Sequence, residues 1–238
     1  MKKNKYLNTS KSLIEFIDKS PTPFHVVKSF KDQLQSAEYV ELYEYDKWDL
    51  SSGGKFFVTR NESSLVAFSI GSEVPEDSGF KIIGAHTDSP NLRLKPNPVF
   101  LKNGYAQLGV EVYGGALLTT WTDRDLSLAG RVMLKSSSAK KTLKVNRVLK
   151  KNFSTLVDCD FVSRLVAFDR PLLRIPQLAI HLNRSVNEKG LVLNPQNHLP
   201  PIFALVDQKT RSKTLLIDLV AEELKCKPAD ILGLSLPC

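Results

Sequence analysis

His86 and Asp88, two positions apart in Gly84-Ala85-His86-Thr87-Asp88-Ser89-Pro90, are the residues of this chain best suited to chemistry. Histidine is the commonest metal-binding side chain. A carboxylate two residues on can accept the imidazole's second N–H, fixing its tautomer, or sit close enough to tune a metal. The same residues also suit a polar turn in which Asp88 caps a nearby group, so the spacing leaves both readings open. A catalytic zinc takes three protein ligands and an open position, and one histidine does not supply them. Glu222-Glu223, the only adjacent glutamate pair, follows Leu219 on a helical pattern and reads as a solvated face. Asp123-Arg124-Asp125 could face a substrate, although alternating charges commonly form ion pairs. Arg93 and Lys95 could attract an acidic side chain or simply solvate a loop. His25 and His198 read as packing or surface histidines, and Gly114-Gly115 as a tight turn. The chain contains no glycine-rich phosphate loop and no Ser/His/Asp arrangement.

The elements that must position these residues follow from periodicity. A first helix is expected after Ser10, with Leu13, Ile14 and Ile17 on one side. Ser20-Pro21-Thr22-Pro23 interrupts it. Thr22 is a good N-cap and Pro23 suits the first helical position, where its missing N–H has no role. Phe24, Val27, Phe30 and Leu34 then recur at helical spacing. From Tyr39 the period shortens, and Tyr39–Tyr45, Lys55–Arg60, Ser64–Ile70 and Phe80–Ala85 read as strands. The last is expected to be buried and to deliver His86 at its C-terminal end, where open α/β sheets place their ligands. Leu94 to Leu205 is rich in short β segments and prolines. From Ser212 helix resumes, with Leu215, Leu216, Leu219, Val220 and Leu224 as its apolar stripe and Pro228 as its bound. The fold class is α/β.

Composition narrows the function. Of 238 residues, 42% are hydrophobic and 24% charged, as in a globular protein with a sizeable core. The net charge of +8 invites a nucleic-acid reading, but seven of the cations lie between Lys135 and Lys151, where there is no acidic residue. Removing those seven leaves +1, so the excess is one local segment, read as a solvated loop, and no nucleic-acid partner is expected. No apolar run approaches the roughly 18 residues of a membrane span, so no membrane partner is expected. The basic start leads into a broken helical stripe, unlike a signal peptide. Three cysteines without metal-type spacing favour a reducing cytoplasm.

Longer motifs then occur in one order: Ser20-Pro21-Thr22-Pro23-Phe24-His25, Lys47-Trp48, Gly84 to Lys95, Val110-Glu111-Val112-Tyr113-Gly114-Gly115, Thr120 to Arg131, and Arg170-Pro171-Leu172-Leu173-Arg174-Ile175-Pro176 running on to His181-Leu182. Together they closely resemble the aspartyl aminopeptidase family of zinc metallopeptidases. The resemblance implies that His86 is a metal ligand and that Asp88 is the catalytic-site carboxylate that orients it. It implies that His181, on a β-rich subdomain, reaches a neighbouring subunit's substrate site. Residues 1–93 would form the N-terminal part of a catalytic α/β domain, 94–205 a β-rich dimerisation subdomain, and 206–238 a helix returning to the catalytic domain. Two zinc ions would bridge and acidify a water that attacks peptides with N-terminal Asp or Glu, in a homo-oligomer. The family's remaining ligands and its Glu–Glu pair come later than Cys238. The alternative is a non-catalytic, truncated subunit that assembles with full-length partners. Two stretches are expected to depart from the family: residues 144–161, read as an insertion, and the closing Leu232-Gly233-Leu234-Ser235-Leu236-Pro237-Cys238.

Overall fold

Two helices open the chain, α1 (Lys2–Asp18) and α2 (Pro23–Ser36), in the computed structural model, which describes residues 2–73, 75–135, 161–206 and 214–238. α1 begins at Lys2, not after Ser10; its first turns are polar and carry no apolar stripe to announce them. It meets α2 through Phe16, whose ring lies 5.0 Å from that of Phe30. α2 starts at the expected proline. The Thr22 hydroxyl accepts from the His25 backbone N–H at 3.4 Å and lies 2.7 Å from His25 Nδ1. Thr22 is buried, so no water replaces it. Thr22→Ala is therefore expected to destabilise the folded chain by about 1 kcal/mol, with Thr22→Ser close to wild type, as urea unfolding would measure.

Strands β1 (Val40–Glu41), β2 (Lys55–Arg60) and β3 (Ser64–Ser69) form one sheet in that order. β1 runs parallel to β2, and β2 pairs antiparallel with β3 from Lys55↔Ser69 to Arg60↔Ser64. Phe56 and Phe57 on β2 and Val27 on α2 are buried. A short helix, α3 (Pro75–Ser78), follows. The strand expected at Phe80–Ala85 does not form. Residues 79–90 carry no helix or strand, and Phe80, Ile82 and Ile83 are exposed. An apolar run becomes a buried strand only when neighbours take up its N–H and C=O groups on both sides. Among the described residues no strand pairs with it.

The chain divides into two compact units, Met1–Ser89 and Pro90–Cys238. The boundary falls a few residues before the 93/94 division read from the sequence, and 214–238 pack within the second unit. There β4 (Asn91–Lys102) and β5 (Tyr105–Tyr113) make a long hairpin, not the short segments expected. Asn103 and Gly104, both with positive φ, form its two-residue turn. The ladder shifts register between Leu94 and Val99, where Pro96 and Pro98 cannot donate to it. With β6 (Asp125–Leu126), β9 (Leu173–Arg174) and β10 (Ile202–Leu205), the hairpin completes a five-stranded sheet of order β4-β5-β10-β9-β6. A second sheet, β11-β7-β8, contains β7 (Ala129–Lys135), β8 (Phe161–Ala167) and β11 (Ile231–Ser235). Short helices α4 (Val186–Lys189) and α5 (Pro195–His198) precede β10.

α6 (Leu215–Leu224) covers this unit's core with Leu216 and Val220. They join Leu92, Leu108, Leu128, Val132, Leu134 and Ile175 in one apolar cluster. After β11 the chain crosses to β4. Leu94 N donates to Leu236 O at 3.0 Å and Cys238 N to Leu92 O at 2.9 Å. The expected departure at Leu232–Cys238 is thus built into both sheets: it continues β11 and then pairs with β4, the outer strand of the five-stranded sheet. The 144–161 stretch lies outside the described residues except for Phe161, which opens β8, and so does the 135–151 basic segment except for Lys135.

Candidate functional site

His86 stands three residues beyond Ile83 on an irregular segment of the first unit, and one tie steadies it. The Thr87 hydroxyl donates to the Ser63 carbonyl at 2.8 Å, fastening the loop to the β2–β3 turn. Nothing in the sequence signalled this contact. His86 Nδ1 lies 2.5 Å from the Asp88 carbonyl oxygen and 3.5 Å from Asp88 Oδ1. Both are acceptors, so Nδ1 carries the proton and Nε2 keeps its lone pair for a ligand. The His86 side chain is 79% exposed. The structure therefore brings His86 and Asp88 together with a defined tautomer.

His181 lies in the second unit, in a turn where Leu182 N donates to Ala179 O at 2.8 Å. The other candidates are engaged locally. Burial holds the His25 imidazole below its ordinary pKa, and a neutral ring lets Nδ1 accept the Thr22 hydroxyl proton. His198 Nδ1 accepts from Asn194 N at 3.0 Å across α5. Glu222 and Glu223 are exposed on α6, as the sequence suggested.

The charged motifs serve the second unit's sheet. Arg174 reaches Asp125 at 3.1 Å and Asp123 at 3.8 Å, and Asp123 also accepts from Gln177 N. The Arg93 guanidinium lies 3.7 Å from the centre of the Tyr113 ring. Lys95 pairs with Glu111 at 2.9 Å and donates to Gln196 at 2.9 Å. Its hydrogen bond and charge hold the Glu111 carboxyl below the usual range. Gly114 turns the chain out of β5 with φ +73°.

A family model described as "Aminopeptidase I zinc metalloprotease (M18)" matches residues 16–152 and 147–237. The chain belongs to the M18 family. The matched range runs as far as Pro237 and so takes in all but the last residue of the closing heptapeptide. The two matched ranges meet inside the 144–161 stretch. A "Probable M18 family aminopeptidase 2" of Pseudomonas putida is 47% identical over 219 residues, covering 91% of this chain and 46% of the relative. Its Pseudomonas aeruginosa counterpart is 48% identical over 210 residues, covering 88% and 44%. The chain spans about half the length of the curated relatives it matches. Among solved structures, the Ape4 and Nbr1 complex matches with a TM-score of 0.81 at 36% identity, over 95% of this chain and 42% of that one. Chaetomium thermophilum mApe1 matches with a TM-score of 0.74 at 32% identity, over 97% and 50%. The S. cerevisiae mApe1 dodecamer matches with a TM-score of 0.71 at 28% identity, over 98% and 48%.

The M18 description implies zinc, and the donor set can be tested against it. Among the described residues no three His, Cys, Asp or Glu side chains group closely enough to hold an ion. His86 offers one nitrogen, and Asp88 is placed at the other side of its ring. A catalytic zinc needs more. The described residues do not make a complete site. No helix among the described residues is long and apolar enough to cross a membrane.

Proposed function

We propose that this chain supplies part of the active site of a metallo-aminopeptidase that removes Asp or Glu from peptide N-termini, with zinc as the metal. The observation that carries the reading is the M18 match across residues 16–237, combined with a His86 whose protonated Nδ1 faces Asp88 and whose Nε2 is free. His86 is the proposed metal ligand. Asp88 holds the imidazole in the tautomer that a metal requires and raises its basicity. His181, in an exposed turn, is the proposed contribution to a neighbouring subunit's substrate site. The first unit carries the N-terminal part of the catalytic domain and the second carries the dimerisation surface. Oligomerisation is consistent with the dodecameric yeast relative. The setting is cytoplasmic, as the sparse cysteines favour.

This chain alone is expected to be inactive, because one nitrogen and one orienting carboxylate do not fix a catalytic zinc. The test is zinc stoichiometry after dialysis, together with turnover of an Asp-leading peptide by the purified 238-residue chain. Little retained zinc and no turnover are expected. Two tightly held ions with chelator-sensitive hydrolysis would show that the site is complete without further donors.

A further inference from the structure

We infer that Asp123 is a positioning residue: it fixes the course of the segment carrying His181 as that segment leaves the second unit's core. The inference rests on the functional reading above, in which His181 serves a neighbouring subunit's substrate site, and names what holds it. Asp123 has a firm footing of its own. Trp121 before it packs against the apolar cluster, and Leu126 after it is buried. Its φ is +52°, a left-handed conformation that aspartate tolerates better than most residues because its short side chain can bond locally. From there it makes three ties to the chain leaving β9. Asp123 N donates to Ile175 O at 2.9 Å, Arg174 Nη2 to Asp123 O at 3.1 Å, and Gln177 N to Asp123 Oδ1 at 3.1 Å.

These ties fall where the sheet lets go. β9 ends at Arg174, and Ile175 is the last buried residue before His181. Pro176 has no N–H to donate, so the Gln177 amide is the next that can be held. With the Asp123 carbonyl turned to Arg174, the carboxylate accepts that amide in the place a strand carbonyl would fill. Beyond Gln177 the turn closes on itself, with Leu182 N donating to Ala179 O at 2.8 Å and Asn183 N to Ile180 O at 3.2 Å. An exposed turn bonded to itself takes its direction from its root, and Asp123 grips the root. A role in general stability fits less well. The Asp123 and Arg174 side chains are 52% and 51% exposed, and an ion pair so open to water adds little to folding. A carboxylate on a main-chain N–H is a stronger, directional bond that can order a loop.

The experiment follows amide hydrogen exchange by NMR in the 238-residue chain and two variants. Asp123→Gly keeps the left-handed backbone at no steric cost and removes the acceptor. Asp123→Asn keeps an acceptor oxygen and loses only the charge. In Asp123→Gly the Gln177 amide is expected to exchange about tenfold faster, and the turn amides of Leu182 and Asn183, which do not touch Asp123, to quicken with it. Asp123→Asn is expected to restore most of the protection. Unchanged exchange at Gln177 and Leu182 in Asp123→Gly would overturn the proposal, as would an Asp123→Asn that behaves like Asp123→Gly. So would a quickening shared by every amide of the unit, which would make Asp123 a residue of general stability. In the assembled peptidase, Asp123→Gly is expected to lower kcat/KM for an Asp-leading peptide about 10- to 100-fold, chiefly through KM, with rescue by Asp123→Asn. A loosened turn with unaltered kinetics would leave Asp123's grip on the segment intact and sink the reading of His181 as a substrate-site residue.

Discussion

His86→Ala is expected to lower kcat/KM for an Asp-leading peptide at least a thousandfold in the assembled peptidase, while leaving the folded chain as stable as before. A thousandfold is about 4 kcal/mol of transition-state stabilisation, the scale expected when a metal loses a ligand. The two halves of the forecast come from different observations. The activity loss follows from the free Nε2 and the protonated Nδ1 beside Asp88. The unchanged stability follows from a side chain that is 79% exposed and packs against little. Asp88→Asn keeps the carbonyl contact of the backbone and removes only the carboxylate, so a smaller loss of roughly 10- to 100-fold is expected. Zinc content and steady-state kinetics of the assembled peptidase decide both. Full activity in His86→Ala would remove this histidine from the site.

Gly130→Ala should produce the largest loss of stability of any single methyl added to the second unit. Gly130 has φ +154°, and a Cβ there would lie 2.1 Å from the Ser235 carbonyl oxygen and 3.0 Å from Leu236 Cα. Both are main-chain atoms, so no rotamer change relieves the clash. The strand register Leu234↔Val132 and Ser235↔Arg131 would have to open. The expected cost is about 3 kcal/mol or more, a fall in Tm of about 6–12 °C for a unit of this size. Gly115→Ala is the matched control, since its added Cβ meets nothing within 4 Å. A thermal melt in which the two variants coincide would mean that β11 does not lie against β7 as described.

The features legible in the sequence are those whose causes are local. Thr22 and Pro23 announce α2 within two residues, a short run of aromatic and β-branched residues marks β2, and the spacing of Leu216 and Val220 marks α6. The aminopeptidase resemblance and the His86–Asp88 pair are likewise readable, because each motif that carries them is compact in the chain. Phe80–Ala85 does not form the expected strand, because apolar character predicts burial only when a partner is present, and a partner is a non-local fact. Leu232–Cys238 gave no strand signal, with Gly233 and Pro237 interrupting it and its partners lying in β7 and β4. The tie from Thr87 to Ser63 spans 24 residues and that from Arg174 to Asp125 spans 49; neither distance leaves a pattern in the sequence.

The pairing of Leu92 with Cys238, 146 positions apart, has a consequence for biosynthesis. At roughly 5–20 residues per second of translation, the outer edge of β4 waits on the order of 10 s for the segment that covers it. Throughout that interval a nascent strand offers bare amides and carbonyls to any other chain nearby. Pro96 and Pro98, which break the ladder in the finished protein, also blunt this strand while it is uncovered, so a local irregularity guards the molecule before it is whole.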